Sequence, residues 1–348
     1  MKVHAIATEY PHAPFGPRVI ERREPRADDV VIDIAFCGIC HSDVHQARDE
    51  WGGARFPMVP GHEIVGRVIE VGAGVTRFEP GDLVGVGCMV DSCRSCGQCG
   101  AHHEQFCEKG CSWTYNGTEM DRETPTYGGY STHVVVSERF VLRVPESLDP
   151  AGAAPLLCAG ITTWSPLRQW GTKAGDEVAV VGLGGLGHMA VKLAAAMGAN
   201  VTMFSTSPGK AADAERLGAA GFALSTDPAT FERLKGRFDL IIDTISAPHD
   251  YNQYLGLLKP YGAMVVLGIP PVASEVGAFS LIAGNKRLAG SLIGGIAETQ
   301  EMLDFCGEHG VVSDVEIVSG ADVDAAYERM MKGDVRYRFV IDASTIGG

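Results

Sequence analysis

The sequence predicts an α/β protein in which a β-rich part precedes a doubly wound parallel sheet. Three observations support this class. Up to about Pro155, short strand-like runs are broken by glycine, proline and aspartate, and from Glu177 apolar strands alternate with amphipathic or alanine-rich helices. A glycine-rich turn, Gly182–Gly187, also joins the first of those strands to a helix. Continuous apolar strands separated by helices indicate a parallel sheet covered on both faces.

The β-rich part contains several strands separated by turn signals. Turns are predicted at Glu79–Asp82 and Tyr127–Gly129, where glycine and proline punctuate the chain. Short strands with long connections are typical of a small barrel. The strands are expected at Val30–Phe36, Ile64–Val71, Asp82–Val86 and Thr132–Val136.

The pattern of predicted strands and helices changes twice in the later part of the chain. The expected order in the parallel sheet is strand Val178–Val181, helix His188–Met197, strand Val201–Phe204, helix Lys210–Leu217 and strands Leu240–Asp243 and Met264–Leu267. The tail no longer alternates in this way, so we expect it to return and pack on the β-rich part. Its elements are expected to be helix Glu298–His309, strand Val315–Val318, helix Val323–Lys332 and strand Tyr337–Ile341.

Composition excludes several classes of partner. The chain of 348 residues carries a formal net charge of −14, which argues against nucleic acid or an anionic membrane surface. Its N-terminus lacks the basic start and apolar stretch of a signal peptide, and no apolar run reaches the ~18 residues of a membrane helix. We therefore expect a cytoplasmic protein, in which the ten cysteines serve as thiols or metal ligands rather than as disulfides.

The glycine turn predicts a dinucleotide site of the Rossmann type. The first glycine turns tightly, the second lets the backbone approach a pyrophosphate, and the third lets helix and strand pack closely. The N-terminus of the following helix then holds the anion. A plain tight turn is the alternative, and the strand–turn–helix–strand context opposes it. The residues of this site are Gly182, Gly184, Gly185, Leu186 and Gly187.

The end of the second strand of this part discriminates between cofactors. NAD sites usually place an acidic residue there to accept from the ribose 2′-hydroxyl. Here the chain reads Ser205-Thr206-Ser207-Pro-Gly-Lys210, with no acid before Asp213. Hydroxyls and a lysine suit a 2′-phosphate, which a carboxylate would repel. NADP(H) is the predicted cofactor, and a solvated loop that merely lacks an acid is the alternative.

Four closely spaced cysteines predict a structural zinc site. Cys93, Cys96, Cys99 and Cys107 lie on one glycine-containing loop. Four thiolates can enclose Zn²⁺ tetrahedrally and leave no coordination position open. Buried thiols or a disulfide are the alternative, and Cys111 follows closely enough that it could replace Cys107.

A second set of candidate ligands is dispersed along the chain. Cys40 lies in Gly38-Ile-Cys-His-Ser-Asp-Val-His45, His62 in Gly61-His-Glu63, and Cys158 far downstream. Singly, each is typical of a core thiol or a satisfied histidine. Together, two thiolates and one imidazole form the three-ligand set of a catalytic zinc with an open fourth position.

Five motifs in this order resemble the zinc-containing medium-chain dehydrogenase/reductases, and within them the cinnamyl alcohol dehydrogenase branch with its bacterial aldehyde reductases. The motifs are GICHSDVH, VPGHEIVGRV, GVGCMVDSCRSCGQC, LLCAGITTWSPL and VVGLGGLGHMAVKLA, and the likeness continues to GSLIGGIAETQEMLDFCGEHG and RYRFVID. The resemblance implies a GroES-like β-rich catalytic domain over residues 1–158 and 296–348. It also implies a Rossmann domain over residues 159–295, serine-rich cofactor loops and a homodimer or homotetramer.

The resemblance also assigns roles around the catalytic zinc. Cys40, His62 and Cys158 would bind the metal, and Glu63, water or substrate would take the fourth position. Asp43 would orient the zinc-bound imidazole, a role with its own physical logic.

Further residues would serve proton transfer, the cofactor and the substrate. Ser42 and His45 would relay a proton between substrate oxygen and solvent, and His41 would touch the cofactor pyrophosphate. Each pocket candidate could equally be an ordinary core residue. The candidates are Trp51, Met89, Trp113, Leu292 and Ile293.

These features together predict a zinc-dependent enzyme that carries two zinc ions and transfers hydride reversibly between NADP(H) and aromatic or medium-chain aldehydes and primary alcohols. An NAD-dependent polyol or secondary-alcohol dehydrogenase is the nearest alternative, and the missing acid near Ser205 opposes it. A non-enzymatic cofactor-binding sensor is a more distant alternative, and the complete ligand set with Ser42 and His45 opposes it.

Overall fold

A computed structural model describes residues 1–347 of the chain. The chain forms two compact units. The first comprises residues 1–158 and the chain from Gly294 onward, and the second comprises residues Ala159–Ile293. Within residues 1–347, every helix is too short or too polar to span a bilayer.

The N-terminal part of the first unit is rich in short strands, as predicted. β3 begins with a fully buried run that includes Val30 and Ile32, which anchors it at the centre of its sheet. The strands are β1 Lys2–Ala7, β2 Gly16–Glu21, β3 Asp29–Ile39, β4 Ile64–Val71, β5 Leu83–Val86, β6 Met89–Asp91, β7 Ser112–Trp113, β8 Gly117–Thr118, β9 Pro125–Thr126, β10 His133–Ser137 and β11 Leu142–Arg143. The helices are α1 His41–Ala47, α2 Gly97–Gly100 and α3 Pro150–Ala153.

The second unit is a six-stranded parallel sheet with helices between its strands, which confirms the predicted α/β class. Its strand order is β14-β13-β12-β15-β16-β17. Phe204, Phe238 and Leu255 are fully buried in its core. The elements are α4 Ala159–Gln169, β12 Glu177–Val181, α5 Gly185–Ala196, β13 Asn200–Ser205, α6 Ala211–Arg216, β14 Gly221–Leu224, α7 Pro228–Arg233, β15 Phe238–Asp243, α8 Tyr251–Leu255, β16 Leu258–Val266, α9 Ala278–Ile282 and β17 Arg287–Gly290.

The C-terminal tail belongs to the first unit, as predicted from the end of the strand–helix alternation. Its elements are α10 Ile296–His309, β18 Val315–Ser319, α11 Val323–Met331 and β19 Arg338–Asp342. β19 pairs antiparallel with β3, and β18 pairs parallel with β19. The sheet of the first unit therefore runs β11-β5-β4-β3-β19-β18, with β10 also paired to β3.

Two differences from the predicted elements bear on the site. β3 runs on to Ile39 and leads directly into α1, a helix that the sequence did not predict. Cys40 is the N-cap of α1, and its backbone N–H donates to Asp43, so a capping box starts this short helix. α5 begins at Gly185 rather than His188, because the glycine turn itself supplies the first helical residues.

Candidate active site and metal centres

The four-cysteine loop forms a compact donor cluster. The Sγ atoms of Cys93, Cys96, Cys99 and Cys107 all lie within 4.8 Å of one another. Cys99 Sγ is 3.9 Å from Cys93 Sγ and 3.4 Å from Cys96 Sγ. A tetrahedral ion with Zn–S bonds of about 2.3 Å separates its sulfur atoms by about 3.8 Å, so the four thiols fit Zn²⁺. Cys111 is not a member of this group, which favours Cys107 as the fourth donor.

Backbone amides stabilise charged thiolates on this loop. Hydrogen bonding from the Ser95 backbone lowers the pKa of Cys93 to about 6, and the Cys99 backbone N–H lowers the pKa of Cys96. Burial instead raises the pKa of Cys99 to about 12. A cation is therefore the natural partner that would let all four sulfurs lose their protons together.

The dispersed ligand candidates converge in a second, fully buried cluster. Donor atoms of Cys40, His62, Glu63 and Cys158 all lie within 4.8 Å of one another. The end of β3 delivers Cys40, the segment before β4 delivers His62 and Glu63, and the turn after Leu157 delivers Cys158. Cys40 Sγ and Cys158 Sγ are 3.9 Å apart, again close to the spacing in a tetrahedral zinc site.

The two thiols of this cluster interact directly. Their hydrogen bond lowers the pKa of Cys40 well below its usual value and raises that of Cys158 well above it. The thiolate form is therefore favoured at Cys40 and the thiol form at Cys158. A divalent metal ion would satisfy both of them as thiolates.

A buried ion pair borders the second cluster. Arg338 of β19 donates from Nη2 to Glu63 Oε1, and both side chains are almost completely buried. Burial raises the pKa of Glu63 to about 7. The Glu63 charge holds the pKa of Arg338 above its usual value, although burial opposes this. Glu63 Oε2 has no hydrogen-bond partner among the described residues and lies against Gly38.

Asp43 orients His62. Its Oδ1 lies 3.2 Å from His62 Nδ1, and its carboxylate also accepts from the backbone N–H groups of Cys40 (2.9 Å) and Gly61 (3.3 Å). The hydroxyl of Tyr130 donates to Asp43 Oδ2 at 3.1 Å. Although burial disfavours the charged imidazole, the Asp43 carboxylate raises the pKa of His62 well above its usual value. With Nδ1 facing Asp43, His62 Nε2 is left for a metal.

Among the other predicted residues of α1, Ser42 contacts the cluster. Ser42 Oγ is 3.7 Å from Cys40 Sγ. His45 Nδ1 lies 2.5 Å from Glu50 Oε2, and its ring stacks on Trp51 at 4.9 Å. Ser42 and His45 are three residues apart on one helix and therefore lie on neighbouring positions of one face. His41 is exposed, with its ring 6.4 Å from that of His45.

The predicted pocket residues fall in both units. In the first unit Trp51 and Trp113 are exposed, whereas Met89 is buried. Met89 of β6 pairs with Trp113 of β7. In the second unit Leu292 is exposed and Ile293 is buried.

The glycine turn has the geometry that a dinucleotide needs. Gly182 has a φ of +94°, which favours glycine. A Cβ on Gly187 would lie 1.8 Å from the Gly182 carbonyl oxygen, so helix and strand can approach only without a side chain there. Gly184, the N-cap of α5, has open space where a Cβ would be. Thr244 Oγ1 donates to the carbonyls of Val181 (2.8 Å) and Gly182 (3.0 Å) and fixes the turn.

The serine-rich segment follows β13 directly. Ser205 ends the strand, is buried, and accepts at Oγ from Ser207 N at 3.2 Å. Thr206 and Ser207 are exposed. Lys210 Nζ donates to the carbonyl oxygen of Leu183 at 2.7 Å, which brings a positive charge to the glycine turn.

Sequence reasoning missed several site residues. Glu50, Tyr130, Thr244 and Arg338 were not predicted. A signal existed for Arg338, because it is a charged residue at the start of the apolar run Phe339–Ile341. Glu50 and Tyr130 offered none, since their contacts depend on how the loops fold.

Comparisons with known proteins agree with this geometry. Residues 26–146 match the alcohol dehydrogenase GroES-like domain family, and residues 185–308 match the zinc-binding dehydrogenase family. The chain is 54% identical over 345 residues to NADP-dependent alcohol dehydrogenase C 1 of Mycolicibacterium smegmatis, with 99% of each chain covered. It is 50% identical over 350 residues to the aldehyde reductase YahK of Escherichia coli, again covering 99% of each.

A solved structure extends the likeness to the whole fold. The cinnamyl alcohol dehydrogenase SbCAD4 of Sorghum bicolor superposes with a TM-score of 0.95 at 49% sequence identity. The superposition covers 99% of this chain and 98% of that one. The matches to both domain families and the full-length relatives together show that the chain belongs to the zinc-binding alcohol dehydrogenases.

Proposed function

We propose that the protein is a zinc-dependent alcohol dehydrogenase and aldehyde reductase that uses NADP(H). The observation that carries the proposal is the buried cluster, in which Cys40 Sγ and Cys158 Sγ lie 3.9 Å apart beside His62. Two thiolates and an imidazole are the donors of catalytic zinc sites with an open position. Cys93, Cys96, Cys99 and Cys107 would hold a second, structural zinc ion.

The bound groups and the chain would divide the chemistry. Zinc supplies Lewis-acid polarisation of a carbonyl oxygen, and NADPH supplies hydride. Asp43 holds the His62 ring with Nε2 directed at the cluster. Ser42 and His45 would move a proton between the substrate oxygen and solvent, and the Glu50 carboxylate orients His45 through Nδ1. Glu63 is proposed as an occasional donor at the fourth position.

NADP(H) is the proposed cofactor because the segment after β13 carries hydroxyls and no acid. Ser205, Thr206, Ser207 and Lys210 would receive the 2′-phosphate, and His41 would approach the pyrophosphate. The relative from Mycolicibacterium smegmatis is named as NADP-dependent. Gly182, Gly184, Gly185, Leu186 and Gly187 would cradle the diphosphate.

Aromatic and medium-chain aliphatic aldehydes, with the matching primary alcohols, are the proposed substrates. Trp51, Met89 and Trp113 of the first unit are proposed as apolar substrate contacts that disfavour polyols, and Leu292 and Ile293 are the candidates of the second unit. The aldehyde reductase and the cinnamyl alcohol dehydrogenase among the similar proteins are named for such chemistry. Ten free thiols support a reducing, cytoplasmic location.

We also propose a homo-oligomer built through the second unit. β17 forms one edge of the parallel sheet, and Phe279, Ile282 and Ile269 nearby in the chain are exposed. An uncovered strand edge with apolar neighbours is a template for a second copy. Light scattering should give a mass of two or four chains, and a monomer would contradict this part of the proposal.

A substrate panel tests the proposed function. Aldehydes and alcohols are assayed with NADPH, NADP⁺, NADH and NAD⁺, and the zinc content of the protein is measured in parallel. We expect about two zinc ions per chain, as two separate four-ligand sites require, and faster turnover with NADP(H). Ser205→Asp should shift preference toward NADH, since a carboxylate repels the 2′-phosphate. A content of one zinc ion per chain would refute the proposal of two zinc sites. Turnover with NAD(H) only would refute the proposed cofactor.

A further inference from the structure

A buried arginine that the proposed reaction does not use holds one short segment of the first unit, residues 127–131. Arg22, which follows β2, donates from Nη1 to the carbonyl oxygen of Tyr127 at 2.7 Å. Its Nη2 donates to the carbonyl oxygen of Gly128 at 2.8 Å and to Ser131 Oγ at 2.9 Å. One guanidinium therefore fixes three acceptors of segment 127–131.

The three hydrogen-bond acceptors of Arg22 are all neutral, although its side chain is charged and buried. Burial lowers the pKa of Arg22 to about 10, which still leaves the guanidinium charged at neutral pH. A buried charge held by neutral groups is costly compared with an apolar side chain in the same place. The geometry that Arg22 imposes on segment 127–131 therefore explains its presence better than a gain in stability does.

Segment 127–131 is joined to residues 59–61, which directly precede His62. Three backbone hydrogen bonds of 2.8–3.0 Å connect them, from Gly128 N to Val59 O, from Gly129 N to Gly61 O and from Tyr130 N to Pro60 O. The two segments also touch closely, since a Cβ on Gly128 would lie 2.2 Å from the Pro60 carbonyl oxygen. A shift of segment 127–131 would therefore move the backbone that carries His62.

A second route leads from the same segment to the His62 ring. The Tyr130 hydroxyl donates to Asp43 Oδ2 at 3.1 Å, and Gly61 N donates to Asp43 Oδ1 at 3.3 Å. Asp43 Oδ1 in turn lies 3.2 Å from His62 Nδ1. Segment 127–131 thus supports both the backbone before His62 and the carboxylate that orients its imidazole.

We propose that Arg22 is a positioning residue for the catalytic zinc, acting on His62 through segment 127–131. The inference rests on the proposed function, because it requires zinc at the cluster of Cys40, His62 and Cys158. Partners in the outer shell of zinc sites typically change metal affinity by about 10- to 100-fold. Arg22 acts through an intervening segment, so we expect an effect at the lower end of that range.

Zinc release from the whole enzyme tests this proposal. A chromophoric chelator is added to the wild type, to Arg22→Lys, which keeps the charge but loses the planar fork, and to Arg22→Met, which loses both. The phase absent from Cys40→Ser marks the catalytic ion, and the other phase reports the four-cysteine site as an internal control. We expect the catalytic phase to be about tenfold faster in Arg22→Met and about fivefold faster in Arg22→Lys.

Arg23→Lys is the matched control, because it makes the same change at the next residue. Arg23 pairs with Asp29 at 2.9 Å and with Glu119 at 3.1 Å, neither of which belongs to segment 127–131. Arg23→Lys should lower the midpoint of urea unfolding at least as far as Arg22→Lys does, since its partners are charged. It should nevertheless release zinc within about twofold of the wild type.

Cobalt substituted for zinc adds a spectroscopic signature that a general loss of stability would not move. The ligand-field bands absent from Cys40→Ser belong to the catalytic ion. These bands should shift in both Arg22 variants and stay unchanged in Arg23→Lys.

Three outcomes would overturn the proposal. Wild-type release rates and unchanged cobalt bands in Arg22→Lys would do so even if Arg22→Met fails to fold. Equal acceleration in Arg23→Lys would reduce the effect to a loss of stability. Absence of any phase that depends on Cys40 would overturn the proposed function together with this inference, whereas the first two outcomes leave that function intact.

Discussion

The two cysteine-containing clusters both offer donor atoms that suit Zn²⁺, but one is partly exposed to solvent and the other is buried. Four thiolates with Zn²⁺ carry a net charge of −2, and the loop that holds them keeps Cys93 and Cys96 partly in solvent. In the second cluster Cys40, His62, Glu63 and Cys158 are all buried. There two thiolates balance the ion, and Arg338 balances Glu63. A charged assembly is tolerable in water, but a buried one must approach neutrality.

The groups that support the two clusters also differ. Backbone amides of its own loop serve the first cluster, as when Cys99 N donates to Cys96 Sγ. Side chains support the second cluster, namely Asp43 on α1 and, from distant segments, Tyr130 and Arg338. A closed, locally supported site suits a structural role. A site with an imidazole donor and an oriented carboxylate beside the proposed proton relay is suited to catalysis.

The largest expected effect is a loss of turnover when a donor of the buried cluster is replaced. Cys40→Ser removes one of three proposed ligands of the catalytic zinc. We expect aldehyde reduction to fall by roughly a thousandfold or more, because polarisation of the carbonyl is lost. Steady-state kinetics and NADPH binding are measured together, and binding should persist. If Cys40→Ser retained turnover, the buried cluster would have no greater part in catalysis than the four-cysteine cluster.

Next in size is the free energy of unfolding when a charge near each cluster is removed. Arg338→Met leaves Glu63 buried without its partner, which should cost about 3–5 kcal/mol. Arg94→Met is the matched control near the four cysteines, where the exposed Arg94 pairs with the half-exposed Asp28 and with Asp91, a buried carboxylate that also accepts from Ser92 N. That loss should cost at most about 1 kcal/mol. Urea denaturation compares them, and equal costs would contradict the argument from burial.

A smaller effect, on stability rather than chemistry, is expected at the four-cysteine loop. Cys99→Ser should lose one zinc ion and lower Tm by roughly 5–10 °C, as a few kcal/mol would in a protein of this size. The loop also caps α10, since Glu104 Oε2 accepts from Ile296 N at 3.1 Å, so its unfolding reaches beyond the loop. Folded enzyme should keep turnover within about threefold at low temperature. A loss of activity comparable to that of Cys40→Ser would make the four-cysteine site part of the chemistry.

The two clusters were predicted from the sequence in different ways. The four-cysteine site follows from spacing, because residues so close in sequence cannot be far apart in space. Cys40, His62 and Cys158 span more than a hundred residues, so only resemblance to a family joined them before their Sγ and ring atoms were seen together. The alternation of strands and helices predicted the second unit well, since its period is local.

The supporting contacts could not be predicted in this way. Arg338 meets Glu63 only because β19 pairs with β3, and Tyr115 meets His62 only through the path of a loop. Such contacts depend on long-range strand order and on turns whose conformation no local pattern specifies. α1 was missed because its seven residues are too few for a helical period to be recognised.

The smallest predicted effect tests the proton route that we propose for the buried cluster and not for the four-cysteine cluster. Glu50→Gln keeps the size of the side chain but removes the carboxylate that lies 2.5 Å from His45 Nδ1. With a carboxylate there, Nδ1 keeps its proton and Nε2 remains the accepting nitrogen, whereas an amide can turn its NH₂ group toward Nδ1 and favour the other tautomer. We expect kcat to fall by roughly tenfold with an unchanged zinc content. Glu108→Gln on the four-cysteine loop is the control and should leave kcat unchanged. A Glu50→Gln enzyme with wild-type kcat across the pH range would mean that protons leave the cluster without His45.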